Sequence, residues 1–152
     1  MDNSSNKKIE KDLVLIGGGH SHLNVLKSFT MDKIDGLRVT LISDVYETPY
    51  SGMLPGFVEN HYSLDEIQID LYKICYHGNF RFIYCKVNKI DGNKNLIYFK
   101  NRPPLNFDYL SINIGINNDT KTIKNADKYA LRLKPISKIN YNEIINNLEG
   151  KK

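Results

Sequence analysis

The feature that most constrains the fold is an apolar run that leads directly into three glycines. Residues 13–16 are Leu, Val, Leu and Ile, and residues 17–19 are all glycine. Such a run is typical of a strand covered on both faces, and the glycines permit a tight turn that a ligand can approach closely. A helix that begins there directs its unpaired N–H groups and positive dipole end at the ligand. The segment therefore predicts a turn that binds a nucleotide pyrophosphate.

The usual G-x-G-x-x-G pattern has a third glycine, and this chain has His22 in its place. His22, Val25, Leu26 and Phe29 follow helical spacing, so we expect His22 on the stripe that faces the sheet. Two interpretations stay open: a packed, hydrogen-bonded core histidine, which we favour, and a contact to the cofactor. A metal site at His20 and His22 is disfavoured, because no further ligands with zinc-like spacing accompany the pair.

Length and composition predict one soluble domain. The chain has 152 residues, of which 41% are hydrophobic and 25% charged, as in ordinary globular proteins. We expect a frayed leader over residues 1–11 and one domain over residues 12–150. There is no apolar stretch of membrane-spanning length and no signal-peptide core, which predicts a cytoplasmic protein without a membrane anchor. The lysines are scattered, so we do not expect nucleic acid as a partner.

The order of the N-terminal elements predicts an α/β fold. Residues 12–16 form the first strand, a helix runs from residue 20 or 21 to about 29, and residues 38–43 form a second, parallel strand. Residues 44–62 form a long connection whose two prolines and two glycines predict the absence of regular helix. A connection of this length inside a compact domain is usually functional.

The middle of the chain predicts one helix and a β-meander. Ser63 and Glu66 form a capping box, and helical spacing continues from there to Gly78, which predicts a single helix. Residues 80–87 and 95–100 alternate in hydrophobicity on either side of a turn, which indicates antiparallel pairing.

Three elements are predicted toward the C-terminus. Residues 109–115 read as a buried strand that ends on glycine, residues 129–133 as a short strand, and residues 135–148 as a closing amphipathic helix. Cys75 and Cys85 are the only cysteines, and without close spacing they are expected to be free thiols.

In their order, these motifs resemble the N-terminal FAD-binding segment of the pyridine nucleotide-disulphide oxidoreductase superfamily. The resemblance is strongest to its type II NADH dehydrogenase and sulfide:quinone oxidoreductase branch, and in the glycine turn and the 48–56 loop to the module fused to some selenide, water dikinases. It covers residues 12–135 and implies a Rossmann-like FAD-binding domain: a central parallel sheet, crossover helices and an antiparallel β-meander, without the family's NAD(P)H domain.

The resemblance also assigns residues to the cofactor FAD. The glycine turn and the helix start after it correspond to the pyrophosphate site, the residue that ends the second strand to the ribose site, and the residue that offers backbone to adenine precedes the meander turn. The 48–56 loop corresponds to the flavin ring and the last strand end to the ribityl chain. The assigned residues are Gly17, Gly19, His20, Ser21, Ser43, Asp44, Tyr50, Ser51, Gly52, Val87 and Gly115.

Two of these assignments leave alternatives open. The family has Glu or Asp at the ribose position, whereas this chain has Ser43, which cannot form a charge-assisted bond. Asp44 either substitutes for the missing carboxylate or is a solvated loop acid. Tyr50, Ser51 and Gly52 either line the isoalloxazine ring or belong to an inert loop.

The resemblance implies FAD-dependent oxidoreductase chemistry, with NAD(P)H as the co-substrate of the full-length family. A hydride passes from the nicotinamide to the flavin, and electrons continue to a small acceptor. The cysteines are not placed as a dithiol relay, which argues against disulfide reduction. Whether this chain alone is an enzyme stays open. The alternative is a non-catalytic, truncated nucleotide-binding or interaction module that needs a partner chain or the missing C-terminal domains. A simple NAD-binding dehydrogenase domain is disfavoured by the meander and the loop.

Overall fold

The computed structural model describes residues 8–116, 123–130, 133–134, 139, 141 and 144–146. The described chain divides into two compact units. Residues 8–46 and 70–114 form the first, and residues 47–69 with the described residues from 115 onward form the second.

Only two of the described elements are eight or more residues long, and both are helices that flank the sheet of the first unit. In chain order the elements are β1 (Lys11–Ile16), α1 (His20–Met31), β2 (Leu37–Ser43), β3 (Glu47–Pro49), a 3₁₀ turn (Ser51–Met53), α2 (Leu54–Val58), α3 (Leu64–Ile67), β4 (Gln68–Asp70), α4 (Leu71–Gly78), β5 (Arg81–Tyr84), β6 (Val87–Asp91), β7 (Leu96–Phe99), β8 (Leu105–Asn106), β9 (Tyr109–Ile112) and α5 (Ala126–Tyr129).

A four-stranded sheet in the order β5-β2-β1-β9 forms the centre of the first unit. Every neighbouring pair in this sheet is parallel. Ile16, at the end of β1, pairs with Ile42 of β2 on one side and Ile112 of β9 on the other. The predicted βαβ unit and central parallel sheet are confirmed, and the fold is Rossmann-like.

Two apolar layers cover the sheet because alternate residues of each strand face opposite sides. On one face, Val14, Ile42 and Ile83 pack with Ile97 and Phe99 of β7, so the β6-β7-β8 meander covers this side. The other face is covered by α1 and α4. Its buried core consists of Leu15, Leu26, Val39, Leu41, Leu71 and Cys75.

The meander is present, but one of its predicted strands is not part of it. Residues 81–84 form β5, which pairs in parallel with β2 through Thr40 to Ser43, and the antiparallel meander begins only at Val87. Alternation along a strand shows that one face is more apolar, but it does not identify the partner strand. The predicted turn is confirmed: the Asp91 carboxylate accepts the backbone N–H groups of Asn93 and Lys94, each at 3.1 Å.

The single helix predicted over residues 63–78 is wrong, although its capping box is confirmed by the reciprocal Ser63 and Glu66 hydrogen bonds. The helix ends at Ile67, and the next three residues pair with β3 as β4. The Asp70 carboxylate then accepts the Lys73 N–H at 2.8 Å and caps α4. An aspartate favours this capping geometry over a helix interior, and the apolar spacing concealed that signal.

The prediction that the 44–62 connection excludes helix is also wrong. Residues 54–58 form α2, with Pro55 in the first helical turn. Proline is tolerated there because its missing N–H would have no partner within the helix. The two prolines and two glycines therefore shorten the helix without preventing it.

The predicted buried strand at residues 109–115 is half-exposed and lies at the edge of the sheet that the described strands form. β9 ends at Ile112, and the side chains of Tyr109 and Ile112 are 58% and 53% exposed. Tyr129 ends a short helix, which contradicts the strand predicted from that residue onward, while residues 131–132 lie outside the described residues. Of the predicted closing helix, residues 141 and 144–146 are helical, and most of the remainder lies outside the described residues.

Candidate nucleotide-binding site

The order of the strands creates a crevice at the carboxyl edge of the sheet. The chain starts at β1, moves outward through β2 and β5, and returns to the other side of β1 as β9. Loops that leave neighbouring strands in opposite directions open a crevice at such a switch point, where open α/β sheets bind ligands. The glycine turn connects β1 to α1 at this point.

Hydrogen bonds hold the turn between the two neighbours of β1. The Gly17 N–H donates to the carbonyl of Ile42 at 2.8 Å, and the Gly19 N–H donates to the carbonyl of Asn113 at 3.3 Å. The Asn113 N–H in turn donates to Ile16 at 2.8 Å, which continues the β1–β9 ladder by one residue. The position of the turn is therefore determined by main-chain bonds from both sides.

The close approach of β9 explains two of the glycines. Gly17 has a φ of +93°, and a Cβ there would lie 2.7 Å from the Asn113 carbonyl carbon and 2.9 Å from the Ile114 Cα. Gly19 is the N-cap of α1 with an ordinary φ of −68°, but a Cβ there would lie 2.6 Å from the Asn113 Nδ2. Gly17 thus faces backbone, whereas Gly19 faces a side chain that can move.

His22 is a packed and hydrogen-bonded core residue, the interpretation that the sequence favoured. Its side chain is 2% exposed, with Nδ1 2.7 Å from the Gly17 carbonyl and Nε2 2.9 Å from the Ser111 hydroxyl. Because a carbonyl only accepts, Nδ1 carries the proton and Nε2 accepts from Ser111. Burial lowers the pKa of His22 and keeps the ring neutral. The imidazole therefore occupies the space between helix and strand. A glycine at this position would allow the two elements to pack more closely.

The start of α1 is accessible and suits an anion. Gly17, Gly18 and Gly19 are partly exposed, His20 and Ser21 are exposed, and the first turn of α1 carries no acidic residue. The 12-residue helix is long enough for its N–H groups and dipole to attract a diphosphate. The residues present therefore fit the pyrophosphate of a dinucleotide. The Asn113 amide lies beside Gly19 and flanks this surface.

The two candidates for the ribose differ in their surroundings. Ser43 ends β2 and is 4% exposed, its hydroxyl accepts the Val45 N–H at 3.2 Å, and its carbonyl accepts the Cys85 N–H at 2.9 Å. Asp44 is the next residue and is exposed. Of the two side chains, only the Asp44 carboxylate is exposed to solvent beyond the strand end.

The remaining predicted site residues lie in different parts of the fold. Val87 is half-buried at the start of β6 in the first unit. In the second unit, Tyr50 precedes the 3₁₀ turn that contains Ser51 and Gly52, and its N–H donates to the Ile67 carbonyl at 2.8 Å. Gly115 directly follows Ile114, has a φ of +75° and has open space where a Cβ would lie.

Two residues of the site were missed from the sequence. Ser111 and Asn113 are neither charged nor part of a glycine motif, yet they contact His22 and the glycine turn. The available signal was their position near the end of a predicted parallel strand, two residues apart and therefore on one face.

The cysteines give no support to thiol chemistry. Burial raises the pKa of Cys75 to about 12, so the thiol stays protonated, and Cys85 is a partly exposed free thiol. Within the described ranges, no three His, Cys, Asp or Glu side chains are grouped as metal ligands. In the same part of the chain, no helix combines the length and the apolar character needed to cross a bilayer.

The chain matches no protein-family model. It is 25% identical over 147 residues to the NADH dehydrogenase-like protein YutJ of Bacillus subtilis (strain 168), covering 92% of this chain and 39% of that protein. The sulfide:quinone oxidoreductase of Aquifex aeolicus is 25% identical, with a TM-score of 0.61 over 70% of this chain and 24% of that chain. The NDH2 of Plasmodium falciparum in complex with RYL-552 is 22% identical, with a TM-score of 0.71 over 89% of this chain and 28% of that chain.

The parallel sheet, its flanking helices and the glycine turn define a Rossmann-like α/β fold. The comparisons confirm the resemblance to the pyridine nucleotide-disulphide oxidoreductase superfamily, and within it to NADH dehydrogenase-like proteins. The chain spans less than half the length of these relatives. The nearer resemblance to the module of selenide, water dikinases stays a prediction.

Proposed function

We propose that this chain is the FAD-binding part of an FAD-dependent NAD(P)H oxidoreductase. The observation that carries the proposal is the half-exposed glycine turn at the switch point between β1 and β9, followed by a long helix without an acidic first turn. That arrangement presents main-chain N–H groups to a diphosphate without requiring a charged side chain.

In this proposal the first unit holds the ADP half of the cofactor. Gly17, Gly19, His20 and Ser21 form the surface for the pyrophosphate, with the Asn113 amide free to rotate away from Gly19 or to donate a hydrogen bond. Asp44 binds the ribose hydroxyls, because its carboxylate is exposed while the Ser43 hydroxyl already accepts from Val45.

The other contacts rest on the resemblance alone. Val87 offers backbone to the adenine, Gly115 approaches the ribityl chain, and Tyr50, Ser51 and Gly52 line the flavin ring. When bound, the flavin supplies the hydride and electron transfer between the nicotinamide and a small acceptor. The protonated, buried Cys75 does not supply a thiolate relay, in line with direct transfer.

The test is a titration of the purified chain with FAD, in which the quenching of flavin fluorescence measures binding. Gly19→Val should weaken FAD binding at least tenfold, because its side chain occupies the approach to the turn. The matched control is Gly92→Val, since a Cβ at Gly92 meets nothing within 4 Å. Circular dichroism verifies that both variants fold. Uptake retained by Gly19→Val, or absent from the wild type, would contradict the proposal.

A second arm of the same titration separates the two ribose candidates. Asp44→Asn should weaken FAD binding about tenfold, the equivalent of about 1.4 kcal/mol for a lost charge-assisted bond. Ser43→Ala should change the affinity by less than about twofold. The reverse order would return the ribose contact to Ser43.

One observation favours the alternative of an interaction module. Among the described strands, β9 lies at the edge of the sheet; its last residue Ile112 and Ile114, two residues beyond its end, are both exposed. An unpaired edge with exposed apolar residues is a surface for strand pairing with another chain. Under this alternative the wild type self-associates and does not bind FAD, and Ile112→Lys with Ile114→Lys restores a monomer in sedimentation experiments.

A further inference from the structure

The buried imidazole of His22 connects three segments at the carboxyl edge of the sheet. His22 belongs to the first turn of α1, its Nδ1 donates to the Gly17 carbonyl at 2.7 Å, and its Nε2 accepts from the Ser111 hydroxyl on β9 at 2.9 Å. The Gly17 N–H donates in turn to Ile42 of β2. The ring is therefore bonded directly to the turn that the proposed function assigns to a diphosphate.

The two hydrogen-bond partners of the ring suit its protonated form as well as its neutral form. A carbonyl accepts hydrogen bonds, and a hydroxyl can either donate or accept after it rotates. After protonation, Nδ1–H keeps its bond to Gly17, and Nε2–H donates to Ser111 without the movement of any heavy atom. Ser111 is exposed, so its hydroxyl also connects the ring to solvent. Protonation of His22 therefore breaks no contact of the ring.

What the protonated ring lacks is a counter-charge. Alternation along the strands places Lys11 of β1 and Tyr109 of β9 on the same face of the sheet as the ring, and His20 and Asp70 lie at the starts of α1 and α4. Burial lowers the pKa of the imidazole, and the bond to the Gly17 carbonyl opposes this effect. None of the four ionisable groups contributes to that pKa, so none of them supplies a counter-charge.

We propose that His22 is a positioning residue of the diphosphate site that takes up a proton from solvent when the diphosphate binds. This inference rests on the proposed function, because the ligand is the diphosphate of FAD. Its two negative charges, held at the glycine turn, supply the counter-charge that the protein lacks. The coupling is reciprocal: the bound diphosphate favours the imidazolium, and the imidazolium favours binding. A glycine at this position would add no charge to a site built from main-chain N–H groups.

The test compares the affinity for FAD at pH 8 and at pH 5.5, measured by flavin fluorescence. The diphosphate of FAD is a diester and keeps both charges across this range. A diphosphate that returns the pKa of His22 to its ordinary value of 6.5 should tighten binding about tenfold at the lower pH. In His22→Gln the two affinities should agree within about twofold, because glutamine does not titrate.

Two matched variants separate the titration of His22 from other effects. His20→Gln removes the exposed histidine of the same helical turn and should retain most of the tightening, whatever its affinity at pH 8. Ser111→Ala removes one contact of the ring but not its titration, so it should also retain the tightening. A purely structural role of His22 would make Ser111→Ala and His22→Gln alike. Loss of the tightening in His20→Gln instead of His22→Gln would overturn the proposal.

An NMR titration of the His22 imidazole in the wild type measures the same coupling without a variant that has to fold. Saturating FAD should raise the pKa of His22 by about 1 or more, whereas riboflavin, which carries no phosphate, should leave it unchanged. Equal tightening in the wild type and His22→Gln, or an unchanged pKa of His22 in the FAD complex, would overturn this inference and leave the proposed function intact. The absence of FAD binding at both pH values would overturn both.

Discussion

The two edges of the central sheet differ in the polar groups that they carry. At the carboxyl edge, the exposed first residues of α1 follow the glycine turn, and the buried His22 is held neutral. At the amino edge, Arg38 and Arg81 bring permanent charges to the sheet face under the meander, where they bind Asp12 and Thr40. The same parallel arrangement of strands therefore supports one surface made by backbone and another made by side chains.

This difference determines what mutations can do at each edge. A site made of backbone fails when a side chain is added, because the geometry of the turn leaves no space for it. A cluster of guanidinium groups is weakened when a side chain is removed or its counter-charge is lost. The three predictions below probe that contrast, beginning with the largest expected effect.

Gly17→Ala should be the most damaging single substitution at the carboxyl edge. The φ of +93° is strained for alanine, and the new Cβ would lie 2.7 Å from the Asn113 carbonyl carbon, which cannot move without displacing β9. We expect a loss of about 3 kcal/mol in the free energy of unfolding, from backbone strain together with overpacking. Urea denaturation measures it.

Gly92→Ala is the matched control for this prediction, because Gly92 has open space around its Cβ position. Its stability should stay within about 0.5 kcal/mol of the wild type. A Gly17→Ala variant as stable as the Gly92→Ala variant would mean that β9 does not approach the turn as closely as described.

Part of the carboxyl edge could be predicted from the sequence, because the residues that form its first strand and its glycine turn follow one another in the chain. Residues 13–19 contain both the strand and the turn, and the helical spacing from His22 onward indicates which face of α1 is buried. What the sequence did not reveal was the partner of that face. Ser111 and Asn113 come from a strand almost a hundred residues away, and only the β1–β9 register brings them to the turn.

The amino edge could not be predicted, and the reason is an error in strand assignment. Residues 80–87 alternate, so they were assigned to the meander, which places Arg81 in the wrong sheet. Only the parallel pairing of β5 with β2 aligns Arg81 with Thr40 and brings it to the face that carries Arg38 and Asp12. Charged residues dispersed along a sequence form no motif until the register is known.

Asp12→Asn should destabilise the amino edge by a smaller amount than Gly17→Ala destabilises the turn. The substitution keeps the shape but removes the one carboxylate paired with Arg38, so the guanidinium groups lose their counter-charge. Because Arg38 is partly exposed and screened by solvent, we expect a loss of about 1 kcal/mol at low salt, decreasing as salt is added.

Lys11 provides the control for this prediction. Its exposed ion pair with Asp108, at 2.9 Å, lies near the same edge, and Lys11→Met should cost less than Asp12→Asn. Equal stability of Asp12→Asn and the wild type at low salt would show that the cluster is not electrostatically strained.

The third prediction concerns the neutral histidine at the carboxyl edge, and it appears as a pH dependence. Burial lowers the pKa of His22 below its ordinary value of 6.5, so below that pH the unfolded chain binds a proton that the folded chain does not. The free energy of unfolding should therefore be highest above pH 6.5 and fall as the pH decreases, by at most about 1.4 kcal/mol per pH unit from this group. Urea denaturation at several pH values should give a shallower slope for His22→Gln than for the wild type. Ser111→Ala should lower the stability by about 1 kcal/mol but keep the steeper slope, because it removes the hydroxyl that donates to Nε2 without removing the titrating ring. An unchanged slope in His22→Gln would mean that the imidazole is not held neutral against the glycine turn.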